Sequence, residues 1–183
     1  MPEYVIDAQG RAAGARWVAS PNFDERPPGA GIDLVVIHAI SLPPGVFGGT
    51  GIIELFTNRL DRAADPYYAL VADMRVSAHF LIRRDGDVVQ FVACAQRAWH
   101  AGLSSWQGRE RCNDYSIGIE LEGCDEQPFE DAQYEALGTL TRALRARYPL
   151  VAAVGHSDIA PGRKTDPGAF FDWPRYRRLG GLS

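Results

Sequence analysis

Cysteine is scarce in this sequence. There are three, Cys94, Cys112 and Cys124, an odd number with no CxxC pair. That excludes a disulfide framework and a thiolate zinc site, and leaves three reduced thiols in a cytosolic protein. Basic charge is also short: 19 Lys and Arg against 23 Asp and Glu give a net charge of −4. Without a basic field, non-specific binding to nucleic acid or to an anionic membrane surface is excluded, so any acidic ligand must be met by locally placed arginines. Long apolar runs are absent. The longest are strand-sized, and no transmembrane span is expected. The opening Met-Pro-Glu-Tyr-Val-Ile-Asp-Ala-Gln-Gly has no basic stretch followed by an apolar one, so a cytoplasmic location is expected. The 183 residues, 46% hydrophobic and 23% charged, fit one soluble domain with a substantial core.

Residues 1–30 are expected to be irregular, ending in Arg-Pro-Pro-Gly-Ala-Gly. Ile32–His38 is a β-branched run of a buried strand. Residues 51–60 have near-helical apolar spacing. Two β-prone runs, 78–84 and 87–93, flank Asp85-Gly86, which predicts a hairpin with a type I′ turn. Residues 116–122 form another strand, with Ile117, Ile119 and Leu121 on one face and Glu120 and Glu122 on the other. The clearest helix is 131–147: Tyr134, Leu137, Leu140, Thr141, Leu144 and Tyr148 make one stripe, and Pro149 stops it. A strand over 151–156 and a short helix over 173–179 complete a mixed α/β order, a central mixed sheet flanked by helices.

Histidine is nearly as scarce as cysteine, with only His38, His79, His100 and His156. His38 and His156 each stand at the C-terminal end of an apolar strand, where α/β sheets commonly place functional groups. Neutral imidazole is the commonest zinc ligand, and two imidazoles with one carboxylate make a catalytic zinc set. Spacing leaves the carboxylate open. Asp158 shares a face with His156 if the strand continues, whereas Asp166 needs the loop to curl back, which Pro161, Gly162, Pro167 and Gly168 permit. It also leaves Glu120 and Glu122 equivalent. On a cleft face with a metal, Glu120 becomes a general base for water; otherwise it is a solvated strand residue. Lys164 can stabilise an oxyanion or be a solvated loop lysine. His79 is expected to be packed and hydrogen-bonded, and His100, beside Trp99, to line the cleft; neither is placed among the metal ligands.

Several segments recur together, in order, in one family: His38–Gly45, Val76–Gly86, Arg97–Gly102, Gly108–Asp114, Ser116–Gly123 and Gly155–Gly168. Over residues 14–178 the chain resembles the AmpD family, the cytosolic 1,6-anhydro-N-acetylmuramoyl-L-alanine amidases of bacteria. More distantly it is similar to phage-lysozyme-type amidases and peptidoglycan-recognition proteins. The resemblance implies a single zinc amidase domain over 1–183, with zinc in a surface groove held by His38, His156 and Asp166. Glu120 then takes the acid/base position, and Lys164 supports the tetrahedral intermediate. Trp99 is implied against the sugar, and Arg75, Arg111 and Arg163 near the stem-peptide carboxylates. The implied partner is a small anhydro-muropeptide, with no nucleic acid and no membrane, and the enzyme acts as a monomer in cell-wall recycling with influence on β-lactamase induction. One departure stands out: the family usually has Asn after the first zinc histidine, and here the residue is Ala39. A lost substrate hydrogen bond costs about 0.5–1.5 kcal/mol, so weaker or altered substrate binding is expected, not loss of the metal.

Three other readings compete. A broader amidase would cut intact peptidoglycan, against which the missing export signal argues. A non-catalytic muropeptide-binding module would typically lack a zinc ligand. A structural-zinc domain would close four protein ligands, and no cysteine is suitably near.

Overall fold

The structure is a computed structural model and describes residues 3–182. A six-stranded mixed sheet forms its centre. From edge to edge the strands are Ala152–Gly155 (β12), Leu34–Ile40 (β5), Ser116–Glu122 (β11), Phe80–Ile82 (β6), Val88–Gln90 (β7) and Arg16–Trp17 (β3). The first four run parallel, β7 is antiparallel to β6, and β3 is parallel to β7.

The alternation anticipated in β11 sorts the two sheet faces. Ile117, Ile119 and Leu121 join Val35 and Ile37 of β5 in the largest core cluster. That face is covered by α3 (Asp131–Arg147), which buries Tyr134, Leu137, Leu140, Thr141 and Leu144, and by α5 (Trp173–Gly180) against it. Leu34 and Val36 face the other way, towards Ala101, Cys112 and Tyr115. Farther along the same strands this second face carries His38 and Glu120 instead of apolar residues.

Four expectations are corrected. The N-terminal segment, expected to be irregular, carries short strands among its described residues: Val5–Ile6 (β1) pairs with Ala12–Ala13 (β2), β3 forms the sheet edge, and Phe23–Asp24 (β4) pairs with Arg97–Ala98 (β8), while residues 1 and 2 lie outside the described residues. Strands two residues long carry no readable periodicity. Residues 51–60 hold a shorter helix, α1 (Gly51–Phe56), and a second one follows, α2 (Pro66–Val71), capped by the Asp65 side chain. The 80–90 hairpin forms, but not through a type I′ turn, which needs two residues with positive φ. Only Gly86 has one, +86°, and Gly86 N–H donates to the Arg83 carbonyl at 2.9 Å, so the loop is three residues with a left-handed glycine. A side chain at Gly86 would also meet the Ala132 carbonyl of α3 at 3.0 Å. Finally, β12 stops at Gly155, and His156 opens a one-turn helix, α4 (His156–Ile159). Ser105–Trp106 (β9) and Arg109–Glu110 (β10) form a small outlying hairpin.

Candidate metal centre

Strand register builds the site. Glu120 of β11 is paired with His38 of β5, so in this parallel pair both side chains leave the same face. Gly155 of β12 is paired with Ile37, which brings His156, the next residue, to the level of His38. The loop after α4 then curls back, and Ser157 N–H donates to the Asp166 carbonyl at 3.0 Å. The result is a triangle of donor atoms. His38 Nδ1 lies 3.0 Å from His156 Nδ1, and Asp166 Oδ2 lies 3.1 Å from each.

These three side chains form the candidate metal cluster among the described residues. Bonds of about 2.0–2.1 Å to a tetrahedral zinc put neighbouring donors roughly 3.3 Å apart, close to the triangle's edges. Two imidazole nitrogens and one carboxylate oxygen also match the three-ligand set of catalytic zinc, which keeps a fourth position open. The residues present therefore fit the ion. Burial pushes the His38 imidazole down to about 4, so its ring is neutral at neutral pH, the form that binds a metal. Asp158 is placed elsewhere: its Oδ2 accepts the Gly155 N–H at 2.7 Å and closes the first turn of α4.

A cavity of about 520 Å³ opens over the triangle. Ala39, Trp99, Glu120, Arg163 and Lys164 line it together with the three donors. Glu120 is only 8% exposed, and its Oε2 has no hydrogen-bond partner. Burial, and secondarily the Asp166 charge, raise its carboxyl well above the ordinary value, while Lys164 pulls the other way. Glu122, equivalent to it by spacing, is engaged: its Oε1 accepts the Gly48 N–H at 2.7 Å and faces Arg83 at 3.4 Å. Arg163 sits on the cavity rim and donates to the carbonyls of Ala101 and Leu103. Arg111 is exposed, pairs with Asp114 and borders the adjoining cavity that shares Arg163. Arg75 is exposed on the carbonyls of Ala72 and Met74 and does not line the central cavity. His79 is buried as expected, its Nδ1 accepting the Gly118 N–H at 3.0 Å and its Nε2 facing the Gln96 carbonyl. His100 lines the cavity and touches His38 directly, at 2.9 Å from its Nε2.

One position beside the cavity escaped the sequence reading. Asp24 accepts from Arg97 Nε at 2.6 Å, two residues before Trp99 of the cavity wall; nothing in its local sequence marks it. Lys164, already a candidate from the sequence, is the one lysine in a chain otherwise basic through arginine, and it lines the cavity.

Fold and cluster define a mixed α/β domain with a three-donor cluster that could hold a metal ion, open to a cleft. A family model described as N-acetylmuramoyl-L-alanine amidase matches residues 28–169, and this chain belongs to that family. It is 58% identical over 173 residues to "1,6-anhydro-N-acetylmuramyl-L-alanine amidase AmpD" of Escherichia coli (strain K12), covering 93% of this chain and 94% of the relative. A crystal structure of a Se-Met AmpD derivative superposes with a TM-score of 0.93 at 55% identity, over 98% of this chain and 99% of that one. The E. coli amidase AmiD, in a complex with anhydro-N-acetylmuramic acid-L-Ala-D-gamma-Glu-L-Lys, matches with a TM-score of 0.62 at 30% identity, over 99% of this chain and 66% of AmiD. Among the described residues no helix is long and apolar enough to cross a membrane.

Proposed function

We propose that residues 1–183 form one zinc-dependent amidase domain. Its substrate is the amide between the lactoyl group of 1,6-anhydro-N-acetylmuramic acid and the L-alanine of the stem peptide. The observation that carries this reading is Glu120: a buried carboxylate with a free oxygen, in register with His38 and facing the cavity beside the three donors. The AmiD complex with an anhydro-muramoyl peptide supports the substrate class.

His38, His156 and Asp166 would hold zinc, which when bound would supply Lewis acidity to the amide carbonyl and to water. Glu120 takes the proton from the attacking water at its free oxygen as the new C–O bond forms. The Lys164 ammonium stabilises the oxyanion that develops. Glu120 then returns the proton to the alanine nitrogen as the C–N bond breaks, leaving a lactoyl carboxylate and a free stem peptide. Trp99 packs against the sugar. Arg163 on the rim, with Arg111 and Arg75 farther out, meets the stem-peptide carboxylates. Ala39 offers no amide to the substrate, so this enzyme binds it with one hydrogen bond fewer. We place the reaction in the cytoplasm, carried out by a monomer during cell-wall recycling, with the muropeptide level bearing on β-lactamase induction.

Mass-spectrometric assay of anhydro-muropeptide cleavage, with chelator and then with zinc restored, tests the reading. Cleavage should stop and return, and Glu120→Gln should keep its zinc yet lose turnover by about 10²–10⁴, the usual worth of a general acid–base. Near-normal turnover in that variant, or chelator-resistant cleavage, sinks it. Intact sacculi in the same assay separate the recycling substrate from the polymer, and Ala39→Asn should lower KM.

A further inference from the structure

A neutral imidazole carries a lone pair on only one of its two nitrogens, and what the other nitrogen meets decides which. At His156 the deciding group is adjacent. Its Nε2 lies 3.1 Å from the Ala101 carbonyl, which can only accept, so Nε2 holds the proton and the Nδ1 lone pair faces Asp166. At His38 the decision arrives through a chain. His38 Nε2 lies 2.9 Å from His100 Nδ1, His100 Nε2 lies 3.2 Å from Ser116 Oγ, and Ser116 Oγ lies 2.6 Å from the Cys112 carbonyl. Because the chain ends on a carbonyl, every direction in it is set. Ser116 gives its one proton to Cys112 and accepts from His100 Nε2–H. His100 Nδ1 is then bare and accepts from His38 Nε2–H. The Nδ1 of His38 is therefore also a lone pair. Three lone pairs converge within 3.1 Å with no proton among them, an arrangement that a cation relieves.

Both deciding acceptors belong to one dipeptide, His100-Ala101. Asn113 holds it: its Oδ1 accepts the backbone N–H of His100 at 3.1 Å and of Ala101 at 2.8 Å. The His100 ring packs against Gly118 of β11, where a Cβ would lie 2.4–2.6 Å from ring atoms, so only glycine admits it. We propose that His100 and Asn113 are positioning residues for the metal centre. The dipeptide that Asn113 holds accepts from Nε2 of both ligand histidines and so presents both Nδ1 lone pairs to the ion. The inference rests on the zinc reading above and deepens it.

The test measures zinc affinity by chelator competition and the His100 tautomer by long-range proton–nitrogen NMR correlation. Asparagine and leucine share a branched shape, but only asparagine places an acceptor where His100 Nδ1 stands. Loss of a metal-bound histidine's outer partner typically weakens metal binding 10–100-fold, and roughly that loss is expected for His100→Leu and Asn113→Ala. His100→Asn should recover most of it, and the unaltered protein should carry the His100 proton on Nε2. Equal zinc affinity in His100→Leu and the unaltered protein, no recovery by His100→Asn, or a proton on Nδ1 overturns the proposal. If His100→Leu does not fold, Ser116→Ala asks the same question with the ring in place: zinc affinity falls and the His100 proton is no longer confined to Nε2, and no change in either overturns the proposal. Failure of the zinc reading is distinguishable, because it appears as absent zinc binding by the unaltered protein while the tautomer still decides the relay.

Discussion

Glu120 shows what burying an unpartnered carboxylate costs at a single residue. Its free Oε2 is removed from water, and burial holds its carboxyl above the ordinary value. The folded-state pKa therefore exceeds the unfolded value of about 4.3. Below that unfolded value the residue is protonated in both states and folding bears no penalty; as pH rises through the folded pKa the penalty becomes complete. Glu120→Gln removes it. In the metal-free protein this variant should be more stable at neutral pH by about 0.5–2 kcal/mol, a usual yield of relieving a strained functional position. Urea unfolding at a series of pH values checks it: the gain should fade towards pH 4, and a gain that persists there would rule out the charge as its cause. The same residue marks a limit of sequence reading. Glu120 and Glu122 are equivalent on the strand, and what separates them arrives from Gly48 and Arg83, far away in the chain. Asp158 and Asp166 were likewise undecided by spacing, because β12 ends one residue before His156 and turns into α4.

Elements with repeated side-chain period were the legible part of the fold. The stripe of α3 and the alternation of β11 each extend over enough residues for burial to leave a pattern, and both appear where the periodicity placed them. Helix α2 left none, since none of its six residues is buried, and the paired strands of the N-terminal segment are two residues long. Tyr4, Ile6 and Ala12 of that segment are buried in the main core, and Arg26 ties it down further. Its guanidinium donates to the carbonyls of Cys94, Asn113, Asp114 and Ser116, at 2.8–3.2 Å. Enclosure pushes this side chain down to about 10, still charged at neutral pH. A buried acceptor left without its donor costs about 1–3 kcal/mol, and Arg26→Met strands several. It should destabilise the protein by about 3 kcal/mol or more, read as a lower urea midpoint at unchanged slope. An unchanged midpoint would mean that these carbonyls find other donors and that the segment is held elsewhere. The carbonyls of Cys112, Asn113 and Asp114 share one 3-10 turn, so this strap borders the turn that supports His100 and Ala101.

Across the whole molecule the donor triangle joins distant parts of the chain. His38 and Asp166 are 128 residues apart, one on a central strand and the other on a loop beyond α4. Unlike the core, whose apolar faces close without help, this junction brings together three donors that could hold a cation. Zinc that binds the folded chain and not the unfolded one stabilises it by mass action, by about 2.7 kcal/mol at a free concentration 100 times the Kd. A protein of this size gains roughly 2–4 °C in Tm per kcal/mol, so saturation at that level should raise Tm by roughly 5–11 °C. Differential scanning calorimetry with buffered zinc measures the shift. Excess chelator should reverse it, and Asp166→Ala should flatten it while Asp158→Ala, which keeps the triangle, should not. A Tm independent of zinc in the unaltered protein would show that the triangle closes without an ion, and would remove the cation from both the stability of the fold and the chemistry assigned to it.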